Sequence, residues 1–417
     1  MPAGRALTDI MMWLSWLVLC PLAAAQSPES GDSAPLLARI SSIVRENIDR
    51  LPNYTCTMSM DRTERVAKTG KLQMADRVRL EVAMVGEKEL YSWPGSKSFR
   101  DLPVQDIAPA GSFSTGEFGI FLSAIFLSGT AEFVYDGLEE LNGRKVHRFA
   151  YRIPRERSKY TVIVPQGKGI VGYEGSAWCD AQSLDLTRLE IVMREIPENL
   201  LVSGGRLSID YARVRVGRGD FLLPQSVDST FTFEGLESHN RTSFSGCREY
   251  AVESGISFGE LPATEGPAPA RAAPLSLPEG VVVESKLETK LDPARLATGD
   301  AFEATVIKAS RQKSVVIAPK GARIHGHVSG VIVLPKPYAC VGVMLHPDWI
   351  EFEGREGAFN AQQVLPLQPM NSPQSVDPRC PLQPDSGSAL VVTEGGRVAA
   401  STGYIVWRTV GGSRHPR

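Results

Sequence analysis

The chain lacks an excess of charge of either sign. Lys and Arg number 45 against 47 Asp and Glu in 417 residues, a formal net charge of −2. This disfavours a nucleic-acid partner, because displacing counterions from phosphate takes a basic surplus. Long apolar runs are lacking too. Residues 10–22, IMMWLSWLVLCPL, number 13, short of the roughly 20 that cross a bilayer as a helix, and nothing else in the chain approaches spanning length. Cysteine is scarce, at six, with no CxxC spacing, which argues against a redox dithiol or a zinc ribbon. HExxH and the P-loop are both missing. Turn formers are plentiful (Gly 38, Pro 29), and the 42% hydrophobic content is enough for a large core.

Arg5 precedes the short apolar run and Ala23, Ala24 and Ala25 follow it. That is the layout of a secretory signal peptide over 1–25, cleaved after Ala25, with a retained anchor as the alternative. The expected location is the periplasm or the exterior. Cys20 falls inside this segment, so Cys56, Cys179, Cys247, Cys340 and Cys380 remain, and an odd number leaves at least one thiol unpaired. A Cys340–Cys380 disulfide is expected, because both residues lie in one late segment full of loop signals. Cys56–Cys247, joining the first and last strands of the N-terminal domain, is a second pairing and would leave Cys179 free. For either pair the alternative is simply a buried thiol.

Leu37, Ile40, Val44, Ile48 and Leu51 recur at helical spacing, so 34–51 reads as a helix with Ser33 as N-cap and Pro52 as the stop. The period then becomes two. Tyr54, Cys56, Met58 and Met60 alternate with polar residues, as do Val78, Leu80, Val82 and Met84, which marks strands with one buried and one wet face. Further strands are expected near 88–93, 131–136, 144–153, 158–164, 169–178, 184–195, 204–216, 221–234 and 239–252. Asn142-Gly143 is a strong hairpin signal, and Gly204-Gly205 and Gly217-Arg218-Gly219 read as further turns. Short connections imply an antiparallel meander.

Residues 115–128, TGEFGIFLSAIFLS, are apolar on nearly every face, so a helix there must be buried on most sides. It is read as a core helix plugging the concave face of the sheet, or as a movable lid over an apolar cavity. In the lid reading Phe118, Phe121, Leu122, Ile125 and Phe126 are the ligand-binding residues. Residues 259–278 hold five prolines and almost no large apolar side chain, the composition of a linker. The domain plan is thus a half-barrel over 34–258, the linker, and a small β-barrel or β-sandwich over 279–411. Residues 366–388, rich in proline around Cys380, read as a long loop.

Chemistry-bearing patterns are weak. Gly167, Gly169 and Gly172 match GxGxxG, but no helix signal follows to hold a phosphate, so a hairpin is expected. Ser310 and Lys313 match SxxK between strand patterns, where a solvated turn is expected. His325 and His327 share one strand face and His346 could join them, but a metal site needs further ligands at defined spacing, so no metal is assigned. The carboxylates Glu139, Glu140, Asp180 and Asp185 are scattered; no catalytic residue and no cofactor is assigned. Trp93, Trp178, Trp349 and Trp407 lie on or beside strands and are expected to pack in cores.

The leading helix, PNYTCTMSMDR opening a meander, and GIVGYEGSAWCDAQSLDLTRLEI, with Gly175, Trp178 and Asp180 followed by Leu189-Glu190-Ile191, resemble the half-barrel of the Lol-type periplasmic lipoprotein carriers and the RseB-type sensors. The resemblance covers roughly 34–258. It implies a strongly curved sheet around a helix-lined apolar cavity that receives acyl chains or hydrophobic peptide ends. It brings no catalytic motif, so no functional residue carries over. LPEGVVVESKLETKLDPARLATGDAFEATV and VVIAPKGARIHGHV resemble, over a short stretch, the β-barrel of TrbI-type envelope proteins of conjugation machines, whose membrane-spanning parts are missing here. The expected function is a non-enzymatic envelope protein binding a lipid, acyl chain or hydrophobic peptide. A structural scaffold docking on another envelope protein is the alternative, and an enzyme of unrecognised type ranks behind both.

Overall fold

The computed structural model describes residues 33–66, 70–86, 88–96, 99, 104–108, 111–250, 275–292, 295–312, 314–334, 340–364, 389–393, 397–398 and 404–410. The expected signal segment 1–25, most of the linker, the 366–388 stretch and Cys380 fall outside them, as does the side chain of Cys340. No described helix is long and apolar enough to cross a membrane.

The fold is mainly β. Helix α1 (Ser33–Arg50) forms where the apolar stripe predicts it, and Ser33 is its first helical residue rather than a residue outside it. There follow β1 (Tyr54–Val66), β2 (Gln73–Val85), β3 (Lys88–Ser92), the single turn α2 (Val104–Ile107) and α3 (Ile120–Leu122), which runs into a π-helical turn, Ser123–Leu127. Then come β4 (Glu132–Leu141), β5 (Arg144–Ile153), β6 (Thr161–Val164), β7 (Gly167–Ile170), β8 (Gly172–Asp180), β9 (Leu186–Arg194), β10 (Val202–Val216), β11 (Gly219–Phe233) and β12 (Leu236–Glu249). Ten of these strands form one antiparallel sheet in the order β3-β2-β1-β12-β11-β10-β9-β8-β5-β4, while β6 and β7 pair as a separate hairpin. Bulges interrupt the ladder at Thr55/Thr57, Tyr135/Gly137, Trp178/Cys179 and Asp210/Tyr211. Each adds local bend and twist, and the sheet curls into a half-barrel.

Asn142 and Gly143 both take positive φ in the β4–β5 hairpin, as does the pair Glu234-Gly235 between β11 and β12. Two positive φ values are what the right-handed strand twist selects in a two-residue loop. Gly204 and Gly205, expected as a turn, instead lie inside β10 beside a bulge. A side chain at Gly205 would collide with the thioether of Met193, so glycine is there for packing.

One sheet face is wet. Arg–carboxylate pairs cross neighbouring strands, among them Arg77–Asp61 (3.0 Å), Arg188–Asp210 (2.7 Å), Arg206–Glu190 (2.7 Å) and Arg241–Asp228 (3.1 Å). Exposed pairs of this kind contribute little energy each, but they keep that face soluble. The other face is continuous core. Met58, Leu80, Phe149, Leu189, Ile209 and Val227 pack with Ile40 and Val44 of α1 and with the 118–126 segment in one buried cluster. Asn47 of α1 fastens the helix to the sheet through both ends of its amide, accepting from Leu222 N–H (2.7 Å) and donating to Leu222 O (3.1 Å).

Cys56 and Cys247 form a disulfide, and Cys179 is a free buried thiol. Cys56 sits in the β1 bulge opposite Gly246 and Cys247, so the bulge supplies the approach.

The second sheet runs from β13 to β23 in the order β20-β23-β13-β14-β17-β18-β21-β22, with β19 also on β18. Its strands are β13 (Val282–Leu287), β14 (Ala301–Val306), β17 (Arg323–Leu334), β18 (Cys340–Phe352), β19 (Arg355–Ala358), β20 (Ala361–Val364), β21 (Ala389–Thr393), β22 (Arg397–Val398) and β23 (Tyr404–Thr409). β15 (Ser310–Gln312) and β16 (Val315–Ala318) make a small hairpin. Trp407, Phe302 and Phe359 are the centre of its core.

The two sheets meet at β2. β3 pairs only with Glu81–Val85, which leaves the backbone of Arg77 and Arg79 open on that side. Thr298 fills the gap: Arg79 N–H donates to Thr298 O (2.7 Å) and Thr298 N–H donates to Arg77 O (2.9 Å). The Arg79 guanidinium also pairs with Asp300.

Candidate functional site

The concave face of the first sheet is covered by a strap, residues 111–129. The segment expected as one helix over 115–128 is helical only from Ile120 to Leu127, and most of that is π-helix. Five apolar side chains face inward. Phe118, Phe121, Leu122, Ile125 and Phe126 are all buried, Leu122 and Ile125 to 1% exposure, whereas Ile120 points outward at 51%. Phe118 packs edge-on to Phe244 (centroids 4.7 Å) and Phe121 edge-on to Tyr160 (5.4 Å), while Phe126 stacks on Phe133 (5.7 Å). The residues singled out in the sequence therefore converge on one place, where they fill the concavity with the protein's own side chains.

Polar contacts root this strap. Arg62, itself paired with Asp76 (2.6 Å from Nε), lies over the Phe113 ring at 4.7 Å. Asn240 Nδ2 donates to Ser112 O (2.8 Å). The Gly116 N–H donates to the carboxylate of Glu89 (2.9 and 3.0 Å), and Tyr91 OH donates to the same group (2.9 Å). Tyr211 OH donates to Glu117 O (2.9 Å). Gly116 and Gly129 take positive φ (103° and 73°) at the two ends of the helical part.

Two acids at this root are held against their ordinary behaviour. Burial, then the nearby charge of Glu89, pushes the Glu117 carboxyl up to about 7. Burial also raises Glu89, opposed by the hydrogen bonds from Gly116 and Tyr91. Tyr54 is fully buried, and its hydroxyl has no hydrogen-bond partner. Desolvation is the common cause, because an apolar concavity disfavours the charged form of any acid. The apolar residues are legible in the sequence as a run, whereas these polar ones are not. Glu117 stood as a lone acid in an apolar run, and that was the available signal.

Three of the four scattered carboxylates have structural partners. Asp180 accepts from the backbone of Gln182 and Ser183 (2.9 Å each), Asp185 pairs with Arg213 (2.5 Å), and Glu139 accepts from the Trp178 indole. The GxGxxG glycines lie on β7 and the start of β8. His325 and His327 both lie on β17, but a bulge separates their partners. His325 stacks on Trp349 (3.8 Å), and His327 sits opposite His346. His327, His346 and Asp348 are the only described group able to offer three metal-ligand atoms close together.

No family model matches the chain, and no curated protein matches it. Solved structures do. A domain assigned to outer membrane lipoprotein sorting in Vibrio parahaemolyticus is 14% identical, covers 53% of this chain and 95% of its own, and has a TM-score of 0.26. A LolA superfamily protein from Nitrosomonas europaea is 11% identical over 51% of this chain and 94% of its own, with a TM-score of 0.25. The lipoprotein LppX of Mycobacterium tuberculosis is 10% identical over 52% and 98%, with a TM-score of 0.22. These descriptions agree with the Lol-type resemblance of the N-terminal part. None of the three is of a TrbI-type protein. At such identities and TM-scores they decide nothing about ligand or activity, and the architecture stands on the strand register itself.

Proposed function

We propose that this chain is a non-enzymatic cell-envelope protein, working in the periplasm or outside the cell, that binds an acyl chain or similar apolar ligand on the concave face of its N-terminal sheet. The 111–129 strap is the movable cover. The observation that carries this reading is the construction of the strap. Five buried apolar side chains, four of them on a short, largely π-helical segment, lie between glycines of positive φ, and the root of that segment holds two carboxylates that burial disfavours. π-Helical turns are rare and cluster at functional sites. A ligand entering the half-barrel takes the place of Phe118, Phe121, Leu122, Ile125 and Phe126 against the same aromatic wall, so little apolar area is lost as the strap lifts. The Cys56–Cys247 disulfide suits an oxidising compartment. The raised acids hold backbone and hydroxyl groups of the strap rather than facing a reacting centre.

The test is organic extraction and native mass spectrometry of the protein purified from its host, with fluorescent fatty-acid titration of the delipidated protein. Released lipid and saturable, displaceable binding are expected; a clean apo mass together with no probe binding overturns the reading. The filled concavity, with Leu122 and Ile125 at 1% exposure, favours one second reading, a scaffold. In that case cross-linking recovers a single stoichiometric protein partner and no lipid.

A further inference from the structure

Outside the half-barrel, one cluster has the chemistry of a binding site that the proposed function does not use. On β17 and β18, His327 lies directly across the ladder from His346. The next pairs in register are Gly326 with Pro347 and His325 with Trp349, so Asp348 is the extra residue of a β-bulge. A bulge residue is released from the pleat and re-aims its side chain. Here the carboxylate turns onto the two histidines. Asp348 Oδ2 lies 2.8 Å from His327 Nδ1, and Oδ1 lies 3.4 Å from His346 Nδ1. That His346 nitrogen is buried and has no hydrogen-bond partner. One donor atom from each residue lies within 4.8 Å of both others. Tetrahedral bonds of about 2.0–2.1 Å place neighbouring ligand atoms roughly 3.3 Å apart, so small side-chain rotations close this set on an ion.

The surroundings fix the set. Trp93, the residue after β3, stacks on the His327 ring (centroids 4.6 Å, planes 15° apart), and His327 is 6% exposed. His346 stacks on the same His327 ring, with centroids 5.2 Å apart. His346 and Asp348 are part-exposed, at 44% and 37% of their side chains, which leaves an approach from solvent. His325 is not part of the set: its ring nitrogens lie 3.5 Å from Glu303 and 3.6 Å from Glu351.

We propose that His327, His346 and Asp348 bind one divalent first-row transition metal of the zinc type, with solvent in the remaining position, where the two sheets meet beside Trp93. Two imidazoles and one carboxylate are a borderline ligand set, suited to zinc, cobalt or nickel rather than to magnesium or calcium, which take oxygen ligands. The ion ties β17 to β18 across the bulge and fixes the ring on which Trp93 rests. This inference is independent of apolar-ligand binding.

The experiment uses the exported chain without a histidine tag, stripped with chelator and titrated with zinc sulfate alone. Metal content after desalting is measured by elemental analysis, and cobalt chloride provides a visible ligand-field spectrum. One equivalent per chain is expected, with an intense four-coordinate cobalt band. His346→Ala and Asp348→Asn should each weaken binding at least about tenfold, as loss of a supporting group around a metal does, and His325→Ala should leave it unchanged. Both weakening substitutions are at part-exposed positions, and unchanged circular dichroism confirms their folding. Less than stoichiometric metal in the wild-type chain, or equal affinity in H346A and D348N, overturns the proposal and reduces the cluster to a hydrogen-bonded clamp.

Discussion

Glu117→Gln tests whether the strap is rooted on an acid that folding disfavours. Glu117 is 3% exposed, and its folded-state value of about 7 stands against an ordinary 4.5. Between those two values the folded protein keeps a proton that the unfolded chain has released. The sign follows from proton linkage: stability is undiminished below the lower value, falls as pH rises between the two, and levels off above the higher. At 1.36 kcal/mol per tenfold change in proton affinity, the full loss is about 3 kcal/mol. Glutamine keeps the neutral shape at every pH. E117Q should therefore match the wild type near pH 4.5 and exceed it by up to about 3 kcal/mol at about pH 8. Urea unfolding at four pH values, with unchanged slope, reads the difference directly. A difference that stays constant across the range would falsify the buried-acid account, because removing a group without a raised folded-state value changes stability equally at every pH in the window. If the strap is also the cover, wild-type protein should bind a fluorescent fatty acid faster at pH 8 than at pH 5, with E117Q flat between them.

Cys247→Ser opens a crosslink spanning 191 residues; the chain-entropy model gives a loss of up to about 5 kcal/mol, measurable as a lower urea midpoint. In the wild-type chain Cys179, buried and pushed up to about 12 by desolvation and then by Asp185, should resist a thiol reagent until the chain unfolds. Gly175→Ala drives a Cβ into the Glu190 carbonyl, which also accepts from Tyr151 OH (2.7 Å); a loss of at least about 2 kcal/mol is expected from overpacking, and a wild-type melting temperature refutes it. Gly299→Ala, at φ 99° with a Cβ directed at Arg79 O and the Trp93 ring, should part the sheets at Thr298. Hydrogen exchange at the Arg79 amide should then accelerate while the β10–β11 amides stay protected; equal protection at Arg79 in both proteins counts against that junction.

The alternation of Tyr54, Cys56, Met58 and Met60, the stripe on α1, and Asn142-Gly143 were enough to place most of the strands, because a period of two, a period of 3.6 and paired positive φ values are local consequences of backbone geometry. The apolar run 118–127 was legible as something that must be buried, since water is unfavourable for every face of it. Its form was not: tertiary packing shortened the expected helix to Ile120–Leu127 and unwound most of it into a π-turn. Gly204 and Gly205 misled for the same reason, being read as turn formers when Met193 across the sheet is what excludes a side chain at Gly205. Composition could say that five cysteines follow the expected signal segment and that at least one is left over. The order of the strands offered Cys56–Cys247 as a second pairing, and the register of β1 against β12 is what brings the two together. What the linear pattern could not hold is any partnership formed by folding. Glu89 with Gly116, Asp348 with His327 and Thr298 with Arg79 are pairs separated by 27, 21 and more than 200 residues. A titratable group shows its chemistry in the sequence, whereas its protonation and its ligands are set by the neighbours and the loss of water that only the curled sheet and the meeting of the two sheets impose.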